Sequence, residues 1–314
     1  MRTPKRCGLR FFHKKQTIIF EKCSIGHILF KFVLYNNYNC DFKKGGFEVN
    51  SKTSANLLKN FAYAGASGAM ILSAVATAFS YDKNKNYFTT NSFIFSIAVA
   101  FALLAFALSI ASAIITPKEE IISRSPFGTN LLVALPAAIG FVLGAIFSTV
   151  EFVKSNSTLF FITTILLLLS VAHVLLCETE RKSSILGFVP PIACALLVAA
   201  LYFDTSLEMN APMKVTAQCA LLPLMLYFTT ELRYLLNREI PRLSLALALG
   251  SIATASLCAL AVPVACMMGV LSNTNCLAAS LVATGANITL LLKLKRYPQP
   301  VPSPENDTKE TDAQ

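Results

Sequence analysis

Eight stretches of roughly twenty nearly uncharged, apolar residues fill almost all of the chain beyond residue 60, separated by short polar connections. They run Phe61 to Tyr81, Asn91 to Thr116, Phe127 to Val153, Thr158 to Cys177, Ile185 to Phe203, Pro212 to Leu232, Leu243 to Val270 and Cys276 to Leu292. At ~1.5 Å rise per residue each is long enough to cross the ~30 Å hydrocarbon layer, and only a helix satisfies its own backbone groups there. A soluble helical bundle would show polar faces at helical period, and a stretch such as Ser96 to Ser112 (SIAVAFALLAFALSIAS) has none. The sequence therefore predicts an all-α polytopic transmembrane bundle over residues 60–296, solvated by the lipid bilayer.

Loop charge gives the orientation, because basic residues in short loops beside the helix ends are held on the cytoplasmic side. Counting from Val49, one side receives Lys52, Lys59, Lys118, Arg124, Arg181, Lys182, Arg233, Arg238, Arg242, Lys293, Lys295 and Arg296. The other receives Lys83, Lys85, Lys154 and Lys214. Twelve against four predicts both termini in the cytoplasm, as an even number of crossings requires.

Residues 1–48 do not match the rest. They hold ten of the 27 basic residues against three acids; without them, 17 basic and 14 acidic residues leave a formal charge of +3 instead of +10. The high overall charge therefore belongs to this segment and does not indicate nucleic-acid binding by the core. A signal peptide is excluded, because Glu21, Lys22, His27 and Lys31 interrupt the apolar run. A basic amphipathic segment on the inner membrane surface is one reading. The preferred one takes Lys44-Gly45-Gly46 as a translated ribosome-binding sequence and Val49 as a GTG start, which makes the segment upstream sequence and the source bacterial. Beyond Tyr297, alternating prolines and ENDTKETDAQ predict a disordered cytoplasmic tail over 297–314.

Lipid supplies no hydrophobic drive for helix association, so small residues must allow close approach. The third segment carries Pro136, Gly140, Gly144 and Ser148 at four-residue spacing; the first carries Gly65, Ala69, Ser73 and Thr77, and the seventh Ala246, Gly250, Thr254 and Cys258. These predict packing grooves. Prolines within the third (Pro136), fifth (Pro190, Pro191), sixth (Pro223) and seventh (Pro263) segments predict kinks.

Ionisable groups in the bilayer point to function by default, and this chain has few. The sixth segment is the most polar. Lys214, Gln218, Met225 and Thr229 share one helical face, with Tyr227 and Glu231 nearly opposite, so no continuous polar stripe crosses the membrane. Glu231 with Tyr227 and Arg233 reads as a structural anchor or a cytoplasmic gate. Asp204 and Lys214 read as an ion pair at the rim of an outward loop. His173 stands four residues before Cys177, too few ligands for a metal site. Six core cysteines, without a CxxC, suit packing; Cys266 and Cys276 lie towards the same side, which leaves a disulfide open. No P-loop, dinucleotide fingerprint, HExxH or GxSxG is present, so neither cofactor nor catalytic residue is assigned.

The run Tyr202-Phe203-Asp204, Met209-Asn210, Pro212, Lys214, Gln218, Glu231-Leu-Arg233 and Pro241-Arg242 resembles polytopic membrane proteins of low-GC Gram-positive anaerobes. The resemblance covers the fifth to seventh segments and implies a bacterial cytoplasmic membrane. That group has no assigned activity and supplies no functional residues. The leading expectation is a non-enzymatic multi-pass membrane component, with a membrane protein or a second copy as partner. The runner-up is a small-solute or ion permease with its path between the fifth, sixth and seventh helices. An intramembrane enzyme comes third and would need a nucleophile beside His173 or Glu231.

Overall fold

The structure is a computed structural model that describes residues 48–82, 85–89, 93–116, 131–178, 185–236, 238 and 240–296. The expectations for residues 1–47, for the loop cations Lys83, Lys118, Arg124, Arg181 and Lys182, and for the tail lie outside the described residues.

Helix α1 (Glu48–Ser80) runs into a small hairpin, β1 (Tyr81–Asp82) and β2 (Tyr87–Phe88). Then follow α2 (Phe93–Ile115), α3 (Leu131–Ser155), α4 (Thr158–Glu178), a 3-10 turn (Leu186–Phe188) leading into α5 (Val189–Phe203), α6 (Pro212–Leu235), α7 (Pro241–Ala259), α8 (Ala261–Met267) and α9 (Thr274–Arg296). Among the described residues, eight spans are long and apolar enough to cross a membrane, with α7 and α8 forming the seventh and α9 the eighth. The all-α bundle of eight crossings is thus the architecture observed.

The prolines act differently from one another. Pro190 and Pro191 sit in the first turn of α5, where a missing N–H breaks no helical bond, and Pro212 and Pro241 open α6 and α7 in the same way. Pro136 and Pro223 lie inside continuous helices. Pro263 has no N–H for the Ala259 carbonyl, and the helix is interrupted there, with Leu260 at φ −106° between α7 and α8. Between α3 and α4 the chain reverses through Asn156 at φ 51°, a left-handed position that asparagine tolerates.

The span Pro241–Met267 is the most enclosed of the eight and Phe93–Ile115 the least, so the last third of the chain forms the centre and α2 faces outward. Small residues bring α9 against α3. A Cβ built on Gly285 would lie 2.4 Å from the Pro136 carbonyl oxygen, and one on Gly140 would lie 2.8 Å from that of Leu281. One turn along, Gly144 faces Val282, and in the other direction the Ala137 N–H donates to Thr289 Oγ1 at 3.0 Å. The stripe expected on the third segment is therefore filled within the chain. The other two stripes are used likewise: Gly65 meets Ala105 of α2, Ser73 Oγ reaches the Ser256 carbonyl of α7, and the Phe106 ring lies over Gly250.

The up-and-down path gathers the hairpin, the Asn156 turn, the 204–211 loop and the 268–273 loop at one end, called here the hairpin end. Their mutual bonds, described next, hold that end together.

Candidate functional site

Two polar centres stand out, one near each end. At the hairpin end the centre is Asp204, which follows the last residue of α5. Its Oδ1 accepts the Ser206 N–H at 2.8 Å, and its Oδ2 accepts Nδ2 of Asn273 at 2.7 Å and of Asn275 at 2.6 Å. Burial pushes its carboxyl up, but the hydrogen bonds from Asn275, Ser206 and Asn273 outweigh it and hold the group below its ordinary value. Asn273 also caps α9, its Oδ1 accepting the Cys276 N–H at 2.8 Å. Thr274 Oγ1 donates to Glu151 of α3, and Tyr87 Oη of the hairpin lies within reach of Glu208 Oε2, at 3.0 Å, and of Asn210 Oδ1.

Lys214 belongs to this end but does not pair with the Asp204 carboxylate. Its side chain is 1% exposed, and Nζ donates to the Asp204 carbonyl at 2.7 Å and to the Leu207 carbonyl at 3.3 Å. The expected rim ion pair is thus replaced by a buried ammonium that closes the end of α5. Helix geometry explains it, because side chains tilt toward the helix N-terminus and Lys214 lies in the first turn of α6, so its stem folds back under its own loop.

The second centre lies toward the opposite end, inside the spans. Glu231 of α6 and Lys293 of α9 are 4% and 8% exposed, and Lys293 Nζ stands 3.3 Å from Glu231 Oε1. Tyr227 Oη, one turn back on α6, donates to the same oxygen. Ionised groups are expensive at such positions, and opposite charge is what makes the pair tenable. The sequence reading brought Glu231 together with Tyr227, and the structure keeps that contact. Arg233, expected beside them, is exposed, and Lys293, expected as a loop charge, stands there instead. Sixty-two residues separate Glu231 from Lys293, and no local pattern reports such a contact.

Gln218 is half-buried on α6, and His173 is buried on α4, while the side chain of its neighbour Cys177 lies outside the described residues. Cys266 and Cys276 are both free thiols. No group of three metal-ligating side chains occurs among the described residues. The sequence signal missed at the hairpin end was the polar triplet Asn273-Thr274-Asn275, which bounds the last span and supplies three of its bonds.

No family model, curated protein or solved structure matches this chain.

Proposed function

We propose that the chain is a non-enzymatic component of the bacterial cytoplasmic membrane, a fixed eight-span bundle with both termini in the cytoplasm that serves partner proteins through its lipid-facing surface. The observation that supports this most is the contact of α3 with α9, where backbone meets backbone at Gly140 and Gly285. Interfaces packed at that distance resist sliding, and the Asp204 and Glu231 centres tie the two ends of α9 to the end of α5 and to α6. Spin labels on Ser157 and Met268 in reconstituted vesicles are expected to give one narrow distance distribution. Two populations that exchange on addition of solutes would reject the fixed bundle. A photo-reactive residue at Phe101, 41% exposed on the outward helix α2, is expected to give a discrete protein adduct in native membranes, and labelling of lipid alone would reject the partner role.

A permease is the second reading, and one observation favours it. Of the buried polar atoms without a hydrogen-bond partner among the described residues, Glu231 Oε2, Ser251 Oγ and Asn287 Oδ1 lie on α6, α7 and α9, three helices packed on one another. Unpartnered buried acceptors suit a polar path. This moves the candidate path from the fifth, sixth and seventh spans to the sixth, seventh and eighth. Uptake of radiolabelled small solutes into vesicles, lost in Asn287→Ala, would support it; no flux above protein-free vesicles would remove it.

A further inference from the structure

The Glu231 carboxylate is served on one side only. Oε1 accepts two donors, Tyr227 Oη and Lys293 Nζ, while Oε2 is buried with no hydrogen-bond partner among the described residues. An ionised carboxylate spreads its charge over both oxygens, so leaving one of them dry and unbonded is costly. The ligand that removes this cost must be a donor or a cation, and it must fit against a buried atom. A metal ion fits poorly, since it needs several oxygens at coordination distance and would stand beside the Lys293 ammonium. A proton needs no cavity.

We propose that Glu231 is a proton-binding site within the membrane domain, and that its occupancy sets the strength of the tie between α6 and α9. The step is a proton transfer: a hydronium ion of the aqueous phase gives up one O–H bond and leaves as water, the proton bonds to Oε2, and the cluster gains one positive charge. Oε1 becomes the acid's carbonyl oxygen and still accepts from Tyr227 and Lys293, so the hydrogen bonds survive while the charge–charge attraction is lost. In a medium of low dielectric that attraction is a large part of what draws Lys293 to α6.

On α6 the titratable partner is Tyr227, and on α9 it is Lys293. Cys194 and Tyr202 of α5 and Arg242 and Cys258 of α7 make no hydrogen bond or ion pair with the carboxylate. On α3, Glu151 and Lys154 sit at the hairpin end, beside Thr274. The inference stands apart from both functional readings, since a fixed component and a permease can each carry such a site.

The test uses the full chain in lipid vesicles. Infrared difference spectra taken between alkaline and acidic pH are expected to show the carbonyl stretch of a protonated carboxylic acid, shifted by 13C-glutamate labelling and absent in Glu231→Gln. Thermal unfolding supplies a second reading. Glu231→Gln removes the charge attraction between α6 and Lys293, so it melts below the wild type at alkaline pH. The gap is expected to shrink at least about twofold on acidification, because the wild type then also holds a neutral group there. A gap constant with pH, or no glutamate carbonyl band at any pH, would overturn the proposal. Should Glu231→Gln fail to assemble, Lys293→Met decides by the same band. Removing the ammonium is expected to keep the acid protonated to higher pH, and an unchanged or absent band counts against the site.

Discussion

Gly285 of α9 and Gly140 of α3 face each other so closely that a Cβ on Gly285 would stand 2.8 Å from the Gly140 Cα. The obstacle is backbone on both sides, which cannot rotate away. Gly285→Ala is therefore expected to lower stability by the upper part of the about 1–3 kcal/mol typical of overpacking, read as a fall in melting temperature in detergent. Gly144→Ala meets the tip of Val282 and should cost less. Equal losses in the two variants would contradict the α3–α9 register.

Gly269 gives the complementary case. It ends α8 at φ +65° with nothing within 4 Å of a built Cβ, so space is not limiting there and backbone conformation is. Gly269→Ala should cost about 1 kcal/mol from the left-handed conformation alone, while Gly269→Asn should cost less. Thermal unfolding of the two variants side by side checks the order.

Lys214→Met keeps most of the stem and removes the ammonium. The Asp204 and Leu207 carbonyls then lose a charged donor, for which about 1.5–3 kcal/mol is the usual range. A neutral result in chemical denaturation would mean that water replaces the ammonium, and that the end of α5 is open to it.

Asp204 gives a prediction in pH. Its folded value lies below the ordinary 3.8, so its contribution is complete above that value and is lost as pH falls through the lower folded one. Wild-type melting temperature should therefore drop in that acidic window, and Asp204→Asn should be less stable at neutral pH but lack that drop. A drop of the same size in the variant would assign it to other carboxylates.

Cysteine labelling on a cysteine-free background tests orientation. The charge bias expects Arg238→Cys to react with an impermeant maleimide only after the cells are opened, and Glu208→Cys to react from outside. Reactivity of Arg238→Cys on intact cells would invert the bundle.

The spans were legible because crossing a bilayer demands a long apolar helix, and Ser96 to Ser112 admits nothing else. The small-residue stripes were legible for the same local reason: four-residue spacing places Gly140 and Gly144 on one face, whatever meets them. What meets them was not, since α9 follows α3 by more than a hundred residues and helices in lipid are sorted by shape rather than by a pattern one helix carries alone. Lys214 and Lys293 show the same limit. Each looks like an interfacial cation by position, and each is buried because acceptors elsewhere reach it, the Asp204 and Leu207 carbonyls of the 204–211 loop for one and Glu231 for the other. The Tyr81–Phe88 hairpin escaped notice because two-residue strands carry no periodicity to read.

The α3–α9 contact also bears on the order in which the molecule is made. Synthesis runs from the N-terminus, so the glycine face of α3 enters the bilayer while its mate is still untranslated. Ribosomes must complete four further spans before Gly285 arrives in the eighth, and until then lipid or a provisional neighbour has to occupy the face. Biogenesis of this protein therefore finishes at its middle, and a nascent chain stalled before Thr274 would leave that seam unfilled for insertion chaperones and proteases to find.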